Sequence, residues 1–234
     1  MKIRSITYFI DTGWPLDVPA LERAGKFLIA AKPAFESAGY EVQTARLATI
    51  PFTLMMPTFS FGGLVRLAQA LEQAAGDLGF AYVSLGPALP ADLLAYAAIP
   101  TALAETQNVF FSGMITTPGK EVYLQAVRAA AQVIYQAAPI SADGFANLRF
   151  AALANVPPGS PFFPAAFHVG VSPSFAIATE AADLAVEAFC GAESLAEARQ
   201  RLKIEMERHA AALSKVAAGL EHTCGAAFGG ILAA

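Results

Sequence analysis

The fold is decided by residues 64–87, which read LVRLAQALEQAAGDLGFAYVSLGP. Apolar residues recur at helical spacing over 64–78, and Gly79 ends that pattern. Residues 80–85 are apolar or aromatic except for Ser84, and Gly86 with the following proline closes them, as expected of a short buried strand. A helix that leads through a glycine into a buried strand is the repeating unit of α/β proteins. This stretch therefore predicts an α/β fold.

The same alternation extends along the rest of the chain. Strands are predicted at 3–10, 41–47, 80–85, 108–114, 149–153, 167–171 and 228–232. Helices are predicted at 18–38, 64–78, 91–105, 121–138 and 175–189, and a capping box formed by Ser194 and Glu197 begins a last long helix. Because strands joined by helices run parallel, we expect a doubly wound sheet or a barrel, in one α/β domain over residues 1–234.

Composition excludes several classes of function. The 234 residues are 56% hydrophobic and 15% charged, which favours a large core and excludes a disordered chain. The net charge of −4 gives no electrostatic basis for binding nucleic acid. Two stretches without charged residues, 47–65 and 150–179, contain several prolines, so we expect loops and strands there and no membrane span.

The amino terminus and the cysteines predict a cytoplasmic protein. The apolar run after Lys2 and Arg4 ends at Asp11 without a cleavage site, so we expect no export. Cys190 and Cys224 have neither disulfide-scaffold nor zinc-ligand spacing, and we expect small buried thiols and no metal site.

Polar residues lie near or just after the carboxyl ends of most of the predicted strands. They are Asp11, Thr12, Ser84, Ser112, Thr116, Thr117, Asn155, Ser172 and Ser174. In parallel α/β folds ligands bind beyond the carboxyl ends of the strands, so we expect these side chains at one edge of the sheet. Thr117 is also expected to cap a helix with Pro118 at its first position, which would attract anions. The triplet that begins at Asp11 predicts only a turn, because an aspartic protease needs two such aspartates.

His168 is the candidate catalytic residue, and two glutamates are its candidate partners. The histidine lies in the uncharged stretch 150–179 before a predicted helix, and Glu180 is expected one to two turns inside that helix. A buried imidazole needs either a hydrogen-bond partner or a function, so a core histidine bonded to a backbone carbonyl is the alternative. Glu105 is either a surface carboxylate at a helix end or an inward-facing acid. His209 and His222, on the charged last helix, are expected to be solvated.

Two motifs carry a resemblance to a known family. They are AIPTALAET at 98–106 and NVPPGSPFFPAAFHVGV at 155–171, together with the strand IRSITYFID at 3–11. These stretches resemble the uncharacterised family named domain of unknown function 711, also called uncharacterised protein family 0210. The resemblance implies a fold similar to part of the α/β barrel of pyruvate formate-lyase-like glycyl radical enzymes. It does not imply their chemistry, because no glycyl-radical loop is present.

The resemblance also implies a longer chain. Members of the family continue beyond the segment that corresponds to FGGI at 228–231, so this sequence is expected to form an incomplete barrel that lacks their C-terminal half. Such a sheet would expose its edges. We therefore expect either a fragment or a protein whose edges are covered in an oligomer, with a homo-oligomer favoured.

Three functions remain open at this point. The first is an enzyme that acts on a small anionic metabolite, with Asn155, Ser112, Thr117, Ser172 and Ser174 as substrate ligands. In that enzyme His168 contacts the substrate, and Glu180 or Glu105 serves as acid or base. The second is a metabolite-binding or regulatory module without turnover, and the third is a structural subunit of an oligomer. The sequence identifies no cofactor.

Overall fold

The chain forms a seven-stranded mixed sheet with helices packed on one face. A computed structural model describes residues 1–117, 119, 121–170 and 172–233. The strands are β1 (Lys2–Ile10), β2 (Ala45–Pro51), β3 (Tyr82–Gly86), β4 (Val109–Met114), β5 (Phe150–Leu153), β6 (Ser174–Glu180) and β7 (Ala227–Ala233). The helices are α1 (Val18–Ser37), α2 (Phe52–Met55), α3 (Phe61–Asp77), α4 (Leu93–Ala104), α5 (Leu124–Ala137), α6 (Phe145–Leu148), α7 (Ala182–Phe189) and α8 (Leu195–Cys224).

The sheet is mixed and open. Its strand order is β5-β4-β3-β2-β1-β6-β7. β1 to β5 are parallel, as the alternation of strands and helices predicts. β6 runs antiparallel to β1, and β7 is parallel to β6, so the expectation of a wholly parallel sheet is wrong. Within the described residues no ladder joins β5 to β7, and the sheet does not close into a barrel.

Two local predictions between residues 167 and 189 are wrong. The helix predicted at 175–189 is strand β6 followed by α7. Phe175, Ile177 and Thr179 alternate with alanines, and β6 pairs along the length of β1, which outweighs the helical propensity of the alanines. Residues 167–170 form no strand, and Val171 lies outside the described residues.

The two ends of α8 follow their sequence signals. The Ser194 hydroxyl accepts a hydrogen bond from the Glu197 amide at 3.2 Å, which confirms the predicted start of this helix. Gly225, in the left-handed conformation at φ 69°, ends it.

The two faces of the sheet have different chemistry. One face carries Ile6, Tyr8, Leu47, Val83 and Phe111, which are buried in one core with residues of α1, α3, α4, α5 and α8. The opposite face, called the second face here, carries a smaller apolar cluster and several polar side chains. The second face is therefore the more polar of the two.

Residues 154–170, called the crossing segment here, cover part of the second face. The Thr7 hydroxyl donates to the Pro161 carbonyl at 3.1 Å, and the Ser84 hydroxyl donates to the Ala166 carbonyl at 2.8 Å. Phe163 packs against the small cluster that contains Phe9. Polar side chains of the sheet thus fix the backbone of this segment.

Candidate functional site

The carboxyl ends of β1 to β5 form one edge of the sheet, called the carboxyl edge here. Because β6 runs antiparallel to β1, its first residue lies at this edge as well: Ser174 pairs with Phe9. The expected turn after β1 is confirmed, since the Asp11 carboxylate accepts the Gly13 amide at 2.9 Å. The crossing segment returns to this edge at His168, whose amide donates to the Thr49 carbonyl at 2.9 Å.

Buried polar atoms without a hydrogen-bond partner concentrate at the carboxyl edge. In the part of the chain that the structure describes they are Thr12 Oγ1, Thr53 Oγ1, Ser112 Oγ, Thr117 Oγ1 and His168 Nε2, and two others, Ser5 Oγ and Asn147 Oδ1, lie elsewhere. Unpaired buried polar groups are costly, so native folds keep them where they serve a function. Their clustering marks this edge as the candidate site.

His168 is the most enclosed titratable group of the edge. Only 5% of the residue is exposed, and its ring lies 6.5 Å from that of Phe9. Burial lowers its pKa, because a charged imidazole loses hydration there. The negative charge of Asp11 and hydrogen bonding to the backbone of Gly170 and Ser172 oppose that effect. At neutral pH the imidazole is therefore uncharged, and its Nε2 can accept a proton.

A second group of polar residues lies around the ends of β4 and β5. The Thr116 hydroxyl accepts the Asn155 amide at 2.9 Å and donates to Asn155 Oδ1 at 3.3 Å. Asn155 has φ 56°, a left-handed conformation that asparagine tolerates better than most residues. Ser112 is fully buried on β4. Thr117 does not cap a helix, because α5 begins only at Leu124; the Pro118 part of that prediction lies outside the described residues.

The predicted substrate ligands thus fall into two groups. Ser172 lies beside His168 and Ser174 begins β6, both at the β1–β6 side, whereas Ser112, Thr117 and Asn155 lie at the β4–β5 side. His168 is bonded to β2, which is two strands from β4. Since neighbouring strands are about 4.8 Å apart, Ser112 on β4 lies roughly 10 Å from the strand to which His168 is bonded.

The two predicted glutamates lie at the opposite edge of the sheet. Glu180 ends β6 opposite Lys2, the first residue of β1, and its carboxylate accepts a hydrogen bond from Gln43 at 3.3 Å. It was expected inside a helix beside His168, and the antiparallel strand carries it away instead. Glu105 caps the carboxyl end of α4, before β4 begins, and is exposed. The structure therefore brings neither carboxylate to His168.

Thr49 is a residue of the edge that the sequence analysis missed. Its hydroxyl accepts the Gly86 amide at 3.1 Å and donates to the Ile50 carbonyl at 2.9 Å, so it joins the ends of β2 and β3. The predicted strand ended at residue 47, whereas β2 continues to Pro51. A β-branched threonine directly before Ile50 was the signal that could have extended it.

Neither a metal centre nor a membrane span is evident in the described residues. They contain no group of three His, Cys, Asp or Glu side chains able to hold a metal ion. None of the described helices combines the length and the apolar character needed to cross a bilayer. Both cysteines are free thiols, and Cys190 is exposed, so the expectation that it is buried is wrong.

Comparison with known families identifies the chain's relatives. A family model described as "Uncharacterised ACR (DUF711)" matches residues 1–232. The chain belongs to the DUF711 family. This confirms the resemblance carried by the motifs at 98–106 and 155–171.

Relatives of this DUF711 chain are named UPF0210 protein. One from Oenococcus oeni is 26% identical over 163 residues, which cover 67% of this chain and 36% of the relative. One from Acetivibrio thermocellus is 30% identical over 138 residues, which cover 56% and 30% of the two chains. One from Halothermothrix orenii is 28% identical over 156 residues, covering 63% and 34%. The chain thus matches about a third of the length of these relatives, and their names assign no activity.

The two motifs have distinct places in the DUF711 structure. Residues 98–106 form the end of α4 and the turn that follows it. Residues 155–170 belong to the crossing segment, which carries both Asn155 and His168. The longer motif is thus the one that reaches the carboxyl edge, and its last residue, Val171, is not described.

Proposed function

We propose that this DUF711 chain provides the active site of an enzyme that acts on a small anionic metabolite at the carboxyl edge. The observation that carries the proposal is the His168 imidazole, which is buried, neutral and unpartnered at Nε2, at the same edge of the sheet as several hydroxyl groups that also have no partner. A buried base at an edge that also carries unpaired hydrogen-bonding groups is the arrangement expected of a site for proton transfer.

His168 acts in this proposal as a general base. With its proton on Nδ1, Nε2 removes a proton from the substrate, and the imidazole becomes positively charged. The carboxylate of Asp11 stabilises that charge, because its field raises the pKa of His168. Burial by itself lowers that pKa, so the base stays unprotonated at neutral pH.

The anionic group of the substrate binds at the other side of the edge. Asp11 disfavours a second negative charge near His168. The Ser112 and Thr117 hydroxyls and the Asn155 side-chain amide, at the β4–β5 side, can donate to a carboxylate or phosphate. Ser172, beside His168, and Ser174, at the start of β6, orient the part of the substrate that loses the proton. Glu180 and Glu105 take no part.

The experiment begins with a thermal-shift screen of small carboxylates and phosphates on the purified chain. A ligand at about a hundred times its dissociation constant adds about 2.7 kcal/mol to the free energy of unfolding. For 234 residues this raises the melting midpoint by roughly 5–10 °C. Compounds that shift the midpoint are then incubated with the protein in D₂O, and exchange of their C–H protons is followed by ¹H NMR.

Variants connect the result to His168. His168→Asn should abolish the exchange, whereas His222→Asn, on the exposed last turn of α8, should leave it unchanged. Asp11→Asn should lower the pKa of His168 and move the acid limb of the exchange rate to lower pH. Exchange that persists in His168→Asn contradicts the proposal, as does a screen without a single shift.

The alternative of a binding module without turnover makes a different prediction. It expects the same midpoint shift, lost in His168→Asn, but neither proton exchange nor any product. The neutral imidazole would then serve only as a hydrogen-bond acceptor for the ligand.

Two finer expectations join the proposal. The parallel order β1 to β5, with helices on one face, supports a segment of a barrel similar to that of pyruvate formate-lyase-like enzymes, which an experimental structure of a full-length relative would test. The free thiols of Cys190 and Cys224 support a reducing compartment, the cytoplasm, which cell fractionation would test.

A further inference from the structure

A cavity lies on the second face of the sheet, away from the carboxyl edge. Its volume is about 480 Å³, within the range of small-molecule sites. Two arginines, Arg4 of β1 and Arg46 of β2, line it together with aromatic residues of β3, β4, α6 and the crossing segment. The cavity thus combines positive charge with an aromatic wall.

The two arginines lie near each other without a compensating carboxylate. Arg46 Nε donates to the Thr44 hydroxyl at 3.1 Å, and that hydroxyl donates to the Arg4 carbonyl at 2.7 Å. No ion pair involves either arginine in the part of the chain that the structure describes, whereas Lys2, two residues before Arg4, pairs with Glu41 at 2.9 Å. Arg46 is half-buried, and both burial and the charge of Arg4 lower its pKa. A guanidinium stays charged in proteins, so the repulsion persists until an anion offsets it.

The aromatic residues form a continuous wall beside Arg46. Its guanidinium carbon lies 5.1 Å from the centre of the Phe163 ring and 5.9 Å from that of Tyr82, both within cation–π range. Phe110 packs edge-on against both rings, at 5.3 Å from Tyr82 and 5.4 Å from Phe163. These contacts, with the bond to Thr44, hold the planar guanidinium in one orientation. A preorganised guanidinium loses little freedom when it binds a carboxylate through two hydrogen bonds.

We infer that this cavity binds a small aromatic carboxylate. The carboxylate pairs with Arg46 and Arg4, and the aromatic ring packs against Tyr82, Phe110 and Phe163. Charge alone would suit any anion, and the rings alone would suit any apolar ligand, but the two features together select a ligand that has both. This site is distinct from the carboxyl edge and does not depend on the proposed enzyme activity.

The test uses ligand-observed ¹⁹F NMR of 4-fluorobenzoate with the purified chain. Line broadening, titrated with protein, gives the dissociation constant. The uncharged 4-fluorobenzamide keeps the ring and loses the charge, and cyclohexanecarboxylate, added as a competitor, keeps the charge and loses the aromatic ring. We expect 4-fluorobenzoate to bind at least about tenfold more tightly than either, because a hydrogen-bonded charge and an aromatic contact each contribute to affinity.

Variants locate the binding. Arg46→Gln should weaken 4-fluorobenzoate binding at least about tenfold, whereas Arg66→Gln, an exposed arginine of α3, should leave it unchanged. Because Arg46→Gln removes the repulsion from Arg4, its melting midpoint without ligand should equal or exceed that of the wild type, which shows that it folds. Equal binding of the benzamide, equal binding by Arg46→Gln, or no binding of 4-fluorobenzoate at millimolar concentration would each overturn the inference.

Discussion

At the scale of single residues, close backbone approach explains the glycine that ends β3. A Cβ placed on Gly86 would overlap the carbonyl carbon and oxygen of Ile50 in β2. The Gly86 amide also donates to Thr49, so the two strand ends are held at this separation. This approach lies at the carboxyl edge, next to Thr49, whose carbonyl accepts the His168 amide.

We therefore predict that Gly86→Ala lowers the free energy of unfolding by about 2 kcal/mol or more, because backbone atoms must move to admit the methyl group. Gly76→Ala is the matched control. Gly76 is exposed on α3 with no atom within 4 Å of its Cβ position, so alanine should stabilise the helix by about 0.5–1 kcal/mol. Urea unfolding measures both. Equal effects of the two substitutions would contradict the close approach.

The residues of the carboxyl edge were predictable in part. Asp11, Thr12, Ser112, Asn155 and His168 follow or end apolar runs, and chain alternation alone places such positions at one edge. Glu105 precedes a predicted strand, so the same alternation places it at the opposite edge, whereas Glu180 could not be placed in this way. Whether a strand end belongs to one edge or the other depends on the direction in which the strand pairs, which is a long-range property. The sequence could not single out Arg46, because its significance depends on its neighbours in space, among which the described part of the chain offers it no ion pair.

At the scale of elements, a buried arginine holds the end of α4. Arg149 is 4% exposed, and its guanidinium donates to the carbonyls of Leu103 at 2.6 Å and Thr106 at 2.9 Å. Carbonyls at a helix end have no partner within the helix, so the side chain satisfies groups that would otherwise be unpaired. Because Arg149 directly precedes β5, this contact connects α4 to that outer strand of the sheet.

Arg149→Leu should therefore lower the free energy of unfolding by about 3 kcal/mol, since it leaves several buried carbonyls without a donor. Arg128→Leu, at an exposed position of α5, should change it by no more than about 0.5 kcal/mol. Chemical denaturation followed by circular dichroism makes the comparison. A loss below 1 kcal/mol for Arg149→Leu would show that these carbonyls find other donors.

The docking of α8 involves a histidine that was expected to be solvated. His209 Nδ1 lies 2.9 Å from the Tyr40 hydroxyl, and Nε2 lies 3.0 Å from Arg208 Nη2. Because a guanidinium only donates, Nε2 must accept, and the proton of the neutral ring is on Nδ1. Burial lowers the pKa of His209, and the nearby charge of Arg208 lowers it further. Protonation of Nε2 would place its N–H against the N–H groups of the Arg208 guanidinium, so that two donors face each other.

This arrangement predicts a pH dependence of stability. The unfolded chain protonates His209 near its ordinary pKa of about 6.5, while the folded chain does so only at lower pH. Between these two values the unfolded state binds more protons, so the free energy of unfolding falls as the pH falls below about 6.5. His209→Gln should make that fall shallower, and His222→Gln should not. Parallel curves for wild type and His209→Gln between pH 7 and pH 5 would contradict the prediction.

At the scale of the whole molecule, the open sheet has two outer strands at which another chain can pair. β5 and β7 are its outer strands, and the backbone groups at such strands can pair with another chain. Formation of a homo-oligomer through the outer strands β5 and β7 stays a prediction, which sedimentation velocity over a range of protein concentrations would test. The strand order could not be predicted from the sequence, because the local patterns of β5 and β7 contain no information about which neighbours they have.

The apolar core extends across the whole sheet and predicts one cooperative unfolding transition. Phe27 of α1 and Leu213 of α8 belong to the same buried cluster, so neither end of the chain has a core of its own. Trp14, the sole tryptophan of the sequence, is partly buried against this cluster between β1 and α1, whereas far-ultraviolet circular dichroism reports mainly the helices. We expect the two signals to change together in urea, with one midpoint. A separate transition seen only by circular dichroism would show that α8 with β7 unfolds independently, and the chain would then consist of two units.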